Sequence, residues 1–264
     1  MDGIAYREAV PEGSSELPTV LCVHGFPQSS YMWRHLLESL ADAGHRAVAP
    51  DLIGFGDTPP DPPGTWVRQV EHVERFRSAL GLERVALVVH DWGGLIGLRW
   101  ACDHSGAVTS LVLSNTGFFP DGKWNAMAVT LRTEGQGEML VDNLSRDAFG
   151  AMLRDLSRSF DEDAIGEYFR AFESEAGRRG VLELYRSGDF DELQPYQERL
   201  EQLGAPALIL WGSNDAFAPV AGAHRFHREI PNSELVTLNA GHFVYEDEPE
   251  RCAREVVAFL GRTG

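Results

Sequence analysis

Cysteine is scarce in this 264-residue sequence: Cys22, Cys102 and Cys252 are the only three, and no CxxC pair occurs. An odd number at such wide spacing excludes a disulfide framework and a cysteine-built zinc site, and fits reduced thiols in a cytoplasmic protein. Long apolar runs are missing too, so no segment is expected to cross a bilayer. The start, MDGIAYREAVPEG, has neither the basic nor the apolar stretch that a secretory signal needs. Positive charge is the other shortage. Lys and Arg total 23 against 40 Asp and Glu, a formal net charge of −17. That argues against nucleic-acid or anionic-membrane partners, which reward clustered cations. No internal repeat or low-complexity tract is present, and Pro59–Pro63 is the one proline cluster, read as a loop.

What is present is ordinary for a soluble globular chain, with 43% hydrophobic and 24% charged residues. The length suits one large α/β domain, or such a core with an insertion. Short apolar runs predict strands at Ile4–Val10, Val20–Val23, Ala47–Pro50, Val85–His90, Thr109–Ser114, Ala207–Trp211 and Glu234–Leu238. Helical patterns fall between them at Trp33–Ala43, Trp66–Leu80, Leu95–His104, Val220–Glu229 and Pro249–Leu260. The alternation implies βαβ units and a mostly parallel sheet flanked by helices. From Thr116 to Leu203 the strand signal vanishes and Leu, Arg, Glu and Asp recur at helical spacing. The expected division is therefore a core of residues 1–116 and 204–264 with a helical insertion over 117–203. The acidic stretch from Asp142 to Glu201 reads as a solvated face.

One segment asks for an explanation. In "VVHDWGGLIGL" (88–98) a carboxylate, Asp91, stands at the corner between a buried strand and a helix. Burying a charge there is costly unless the site uses it. Ligands of open parallel sheets bind beyond the carboxyl ends of the strands. The residues in that position are His24–Pro27, Asp91–Trp92, Asn115, Asp215 and His242.

"HGFP" (24–27), "HDWGG" (90–94), "LILWGSND" (208–215) and "NAGHF" (239–243) resemble the motifs of α/β-hydrolases, in the order nucleophile, acid, histidine. The resemblance covers nearly the whole chain. It implies the α/β-hydrolase fold, with 117–203 as a helical lid inserted after the sixth family strand. Asp91 takes the place of the serine of esterases, and no G-x-S-x-G occurs, so a serine esterase would lack its nucleophile. Val89 departs from the small residue usual two positions before the nucleophile and demands local accommodation.

The aspartate-nucleophile branch, haloalkane dehalogenases and epoxide hydrolases, implies attack on an sp³ carbon to form an alkyl-enzyme ester. His242 would activate the water that hydrolyses it, Asp215 would orient His242, and the backbone N–H groups of Phe26 and Trp92 would hold the oxyanion. Plainer readings exist for each. Asp91 could be a turn residue, Asp215 could make an Asx-turn, and Asn214 is a less favoured partner for His242. Uncharged Asn115 cannot be the acid. His24 and His90 read as structural.

The leaving group separates the two families. A halide needs N–H donors: Trp92 is one, Phe26 stands where many dehalogenases carry a second, and Trp124, the sole Trp of the insertion, is a candidate for that role or equally a packing residue at the base of the lid. An epoxide needs a proton donor, and "GRRGVLELYR" (177–186) resembles the lid segment with such a tyrosine, Tyr185. Tyr168 and Tyr196 read as helix-surface or packing residues. Fluoroacetate dehalogenases share "HGFPQ" but carry Arg where Trp92 stands. The reading adopted is a dehalogenase-like hydrolase with no cofactor and no metal, acting on a small apolar organic substrate and water. The alternatives are an epoxide hydrolase, a hydrolase of another small molecule, or a ligand receptor of the same fold.

Overall fold

A computed structural model describes residues 3–13 and 16–263; Met1, Asp2, Ser14, Ser15 and Gly264 lie outside it. Seven strands form one sheet: β1 (Tyr6–Ala9), β2 (Thr19–Val23), β3 (Ala47–Pro50), β4 (Val85–His90), β5 (Val108–Ser114), β6 (Ala207–Gly212) and β7 (Ser233–Leu238). Their order is β1-β3-β2-β4-β5-β6-β7. Only β1 runs antiparallel, paired with β3; every other neighbour is parallel. All seven expected strands are present, within two residues at each end. The central strand β4, VALVVH, is buried along its whole length, as a strand covered on both faces must be.

The flanking helices are α1 (Arg34–Asp42), α2 (Trp66–Ala79), α3 (Trp92–Asp103), then α4 to α9 (Ala126–Arg132, Gln136–Asp142, Arg146–Leu156, Glu162–Glu173, Glu175–Arg186, Gln197–Gln202), α10 (Val220–Glu229), α11 (Val244–Asp247) and α12 (Pro249–Thr263). Amphipathic spacing sets their faces: Leu36, Leu37 and Leu40 of α1 are buried, as are Cys252, Val256 and Phe259 of α12. Between β5 and β6 the described chain is helical, with no strand among the described residues. Acidic side chains on these helices pair with arginines at the surface: Arg186 with Glu138 at 2.6 Å and Arg178 with Asp142 at 2.9 Å. The three cysteines are free and buried. No described helix is long and apolar enough to cross a membrane.

Helix α3 begins at Trp92, not at Leu95 as the sequence pattern suggested. Gly93 and Gly94, poor helix formers, hid its true start. The two glycines answer to contact with the sheet instead. A Cβ on Gly93 would collide with the carbonyl oxygen of Val23 on β2, and one on Gly94 with the Thr116 side chain. Val89 finds its accommodation on the same helix: a Cβ on Gly97 would stand 2.7 Å from Val89 Cγ1, so bulk on the strand is matched by its absence on the helix.

This close approach makes a testable statement about stability. Gly93→Ala should lower unfolding free energy by about 1–3 kcal/mol or more through overpacking against backbone. A denaturant midpoint unchanged from the parent protein would contradict it.

Candidate active site

The carboxyl ends of β2, β4, β5, β6 and β7 bring five segments together. Where β4 meets α3, Asp91 has φ 50° and ψ −122°. Positive φ in a non-glycine residue is uncommon and costs of order 1–3 kcal/mol, sustained only by surrounding structure. Three contacts sustain it here. The Gly94 N–H donates to the Asp91 carbonyl at 2.9 Å, Thr116 Oγ1 donates to the same oxygen at 2.6 Å, and the Phe26 N–H donates to the carboxylate Oδ1 at 2.8 Å. Gly25 lets this last donor approach, since a Cβ there would stand 2.6 Å from Oδ1.

His242, in the loop after β7, donates from Nδ1 to Asp215 Oδ2 at 2.7 Å. Its Nε2 lies 3.4 Å from Asp91 Oδ2. Asp215 is fully satisfied: Oδ1 accepts from the N–H groups of Phe217 (2.7 Å) and Ala218 (3.0 Å), and Oδ2 also accepts from Asn115 Nδ2 at 2.7 Å. The Asx-turn is therefore real, and it coexists with the contact to His242. Asn214 points elsewhere, donating to Asn239 at 2.9 Å. Asn115 contributes more than its lack of charge suggested. It sits at φ 42° after β5 and also accepts the Gly212 N–H at 3.1 Å, so it ties β5, β6 and Asp215 together. A polar residue at a strand end, of a type that tolerates the left-handed region, was the available signal.

The charges interlock. Burial works against an imidazolium, but Asp215 and then Asp91 hold the proton on His242 and raise its pKa to about 10. Burial likewise opposes ionisation of Asp91, yet His242, the nearby His90 and the Trp92 N–H at the start of α3 keep its carboxyl below the ordinary value. Asp215 is held below its ordinary value as well: burial opposes ionisation, and His242 and Asn115 outweigh it. His90 packs its ring 4.9 Å from that of His242, and burial together with the charge of His242 pushes its pKa down to about 3. His24 accepts the Leu52 N–H at 2.9 Å and contacts the Gly25 carbonyl at 2.9 Å, a structural role at the turn. His90 is tethered more loosely, by Ser114 Oγ at 3.4 Å.

The aromatic residues occupy different places from one another. Trp92 is buried, with its ring 5.1 Å from that of Tyr185. Tyr185 is buried too; burial and then the charge of Asp91 hold its phenol well above the ordinary value. Trp124 lines the same cavity and stacks on Trp92 at 5.6 Å. Its expected role as second halide donor needs correction, because its indole N–H is given to Asp189 at 2.9 Å. Tyr168 is buried and donates to Glu246, and Tyr196 reaches Arg99 at 3.1 Å, so neither sits with Asp91. A cavity of about 470 Å³ opens onto Asp91, walled by Trp92, Trp124, Tyr185, Phe190 and Phe217. Phe217 had no sequence signal beyond following Asp215. No cluster of three or more metal-ligating side chains occurs among the described residues.

Because the His242 value stands above the ordinary 6.5, its contribution to stability is complete below about pH 6.5 and is lost as pH rises towards 10. Asp91→Asn removes one of the two carboxylates and should move the His242 titration down by one unit or more, read by NMR of the imidazole. An unchanged titration would mean that Asp91 does not hold the proton there.

Comparison with known proteins agrees with this geometry. The model of the α/β hydrolase fold family matches residues 18–249. Haloalkane dehalogenase 2 of Mycobacterium tuberculosis is 32% identical over 265 residues, covering 96% of this chain and 90% of that protein. A cis-3-alkyl-4-alkyloxetan-2-one decarboxylase of Xanthomonas campestris pv. campestris is 30% identical over 273 residues, covering 95% and 91%. The crystal structure of a haloalkane dehalogenase from Bradyrhizobium elkani aligns with a TM-score of 0.82 at 26% identity, over 98% of this chain and 94% of that one. The chain belongs to the α/β-hydrolase family, in its dehalogenase-like branch.

Proposed function

We propose that this hydrolase opens the carbon–halogen bond of a small apolar haloalkane, with Asp91 as nucleophile. One observation carries the reading: the carboxylate at the elbow, not a hydroxyl, faces His242 Nε2 at 3.4 Å while Asp215 holds Nδ1 at 2.7 Å. An ionised carboxylate needs no base to attack. Asp91 Oδ2, free of the Phe26 N–H that engages Oδ1, forms the bond to carbon as the halide leaves with the bonding pair. The product of this step is a neutral alkyl ester.

Forming that ester deletes one of the two charges that hold the proton on His242. The imidazolium releases it to solvent water, and the neutral ring then takes a proton from the water that adds to the ester carbonyl. Asp215 stabilises the new imidazolium. The backbone N–H groups of Phe26 and Trp92 stand where the oxyanion develops, one such donor being worth about 3–4 kcal/mol. Collapse breaks the carbonyl carbon–alkoxide bond, the His242 imidazolium gives its proton to the departing alkoxide to release the alcohol, and the acid left on Asp91 ionises to water to restore the carboxylate. Residues 117–203 serve as the lid: Trp124, Tyr185 and Phe190 from this stretch close the cavity over Asp91 and exclude bulk water.

A second reading, an epoxide substrate, is favoured by one feature. Tyr185 keeps its proton, lines the cavity onto which Asp91 opens and sets its ring 5.1 Å from that of Trp92, which suits donation to a ring oxygen. With Trp124 committed to Asp189, Trp92 is the donor left for a halide and Tyr185 the one for an epoxide oxygen.

His242→Phe should be alkylated but unable to release product. Its intact mass after separate incubation with a bromoalkane and an epoxide should gain one alkyl group on Asp91 from the bromoalkane. Gain of a hydroxyalkyl group from the epoxide alone would transfer the assignment to epoxides, and no adduct from either would remove Asp91 as nucleophile. Trp92→Phe should reduce halide release by about tenfold or more with little effect on epoxides, whereas Tyr185→Phe should do the reverse; steady-state rates on both substrates check the split.

A further inference from the structure

Two charged residues outside the cavity reach three of its aromatic walls. Arg132 ends α4 and Asp189 lies shortly after α8, and neither is among the residues that line the cavity. They form an ion pair at 2.9 Å in which the Arg132 side chain is 21% exposed and that of Asp189 53%. An ion pair this exposed contributes little to stability by itself. Its further contacts give it a role. Trp124 donates its indole N–H to Asp189 Oδ1 at 2.9 Å, and the Arg132 guanidinium stands 4.7 Å from the centre of the Trp124 ring. Phe190 donates its backbone N–H to the same Oδ1 at 2.8 Å. The backbone carbonyl of Tyr185 accepts from Arg132 Nη1, as does that of Gly188 at 2.7 Å.

Helix ends explain why an arginine stands there. The last carbonyls of a helix have no partner within it, and a cation beside them is favoured. Arg132 serves the end of α8 in this way. Arg186, the last residue of α8, returns the contact by donating to the Leu131 and Thr133 carbonyls at the end of α4, at 3.0 and 3.2 Å. The two helices are locked end to end by each other's final arginine. The rings held by this lock also touch: Trp124 lies 4.5 Å from Phe190 and 6.1 Å from Tyr185.

We propose that Arg132 and Asp189 are positioning residues for the substrate: they fix Trp124, Tyr185 and Phe190 as one preformed wall and so set the preference for longer apolar chains. This rests on the reading above that the cavity over Asp91 holds the substrate. A two-carbon substrate occupies the space beside Asp91 and Trp92 and gains little from the wall. A longer chain extends along the three rings, because they line the cavity beyond Asp91. Where a side chain must be ordered during binding instead of beforehand, affinity falls about two- to tenfold. Releasing the wall therefore weakens the long substrate selectively.

The test compares Arg132→Met, Asp189→Ala and Asp189→Asn with the parent protein by the KM of bromoethane and of 1-bromohexane, and by the Kd of 1-hexanol from calorimetry. In Arg132→Met and Asp189→Ala the KM ratio of 1-bromohexane to bromoethane should rise about tenfold, and 1-hexanol should bind about tenfold more weakly. Asp189→Asn should recover most of both losses, because its amide oxygen still accepts from Trp124 and Phe190 and asparagine caps a helix start as well as aspartate does. A pair that merely stabilises the fold would lower the denaturant midpoint and affect both bromides alike. An unmoved ratio, equal losses on the two bromides, or an Asp189→Asn no better than Asp189→Ala overturns the proposal. If the parent protein turns over neither bromide, the dehalogenase reading fails and 1-hexanol still reads the wall without chemistry: weaker binding in Arg132→Met and Asp189→Ala then supports the positioning role, and unchanged or absent binding overturns it.

Discussion

The tight approach of α3 to the sheet is the constraint on which the site depends. Gly93 lies against the β2 backbone, Gly94 against Thr116 and Gly97 against Val89, so the helix sits closer to the strands than side chains would allow. At that distance the chain can pass from β4 into α3 only through a sharp corner. Asp91 occupies the corner with positive φ, and the conformation is held because the packing around it leaves no alternative. The same sharpness lifts the carboxylate out of the sheet edge and turns the N-terminal end of α3 towards it, where an anion is favoured.

Electrostatics complete what the backbone begins. Two carboxylates flank one imidazole, with separations of 2.7 and 3.4 Å. Buried carboxylates are tolerable when paired and hydrogen-bonded, and Asp215 meets that condition with four donors. Asp91 is less fully satisfied and its side chain retains 24% exposure. The two carboxylates thus differ in environment: one is immobilised, the other is open to the cavity.

The short helix α11 links this centre to the helices between β5 and β6. Buried Glu246 accepts from Arg34 at 2.8 Å, from Tyr168 of α7, and from Gln28 at 3.3 Å, just past the Phe26 turn. Asp247 accepts the Gly241 N–H at 3.2 Å, next to His242, and a hydrogen bond from Ser157 at the end of α6. Displacing α6 or α7 would therefore disturb the loops that carry both His242 and Phe26. Sequence reading had no means of finding this, since "VYED" looks like any acidic helix start until distant partners are known.

By itself the sequence determined the α/β architecture, the strands to within two residues, and the positions of Asp91, Asp215 and His242 at strand ends. Apolar periodicity and Gly-rich corners are local properties, and local properties are written in contiguous residues. Tertiary structure decided the rest. Trp124 was a plausible second donor in the sequence, and it is the contact with Asp189, 65 residues away, that commits its N–H elsewhere. Asn115 became a support for Asp215 through a bond across 100 residues. The start of α3 was misjudged because glycine's low helix propensity is a local signal, whereas its need here arises from contact with β2. Who shares a hydrogen bond, and how much space is left beside a carboxylate, depend on segments that meet only after the chain has folded.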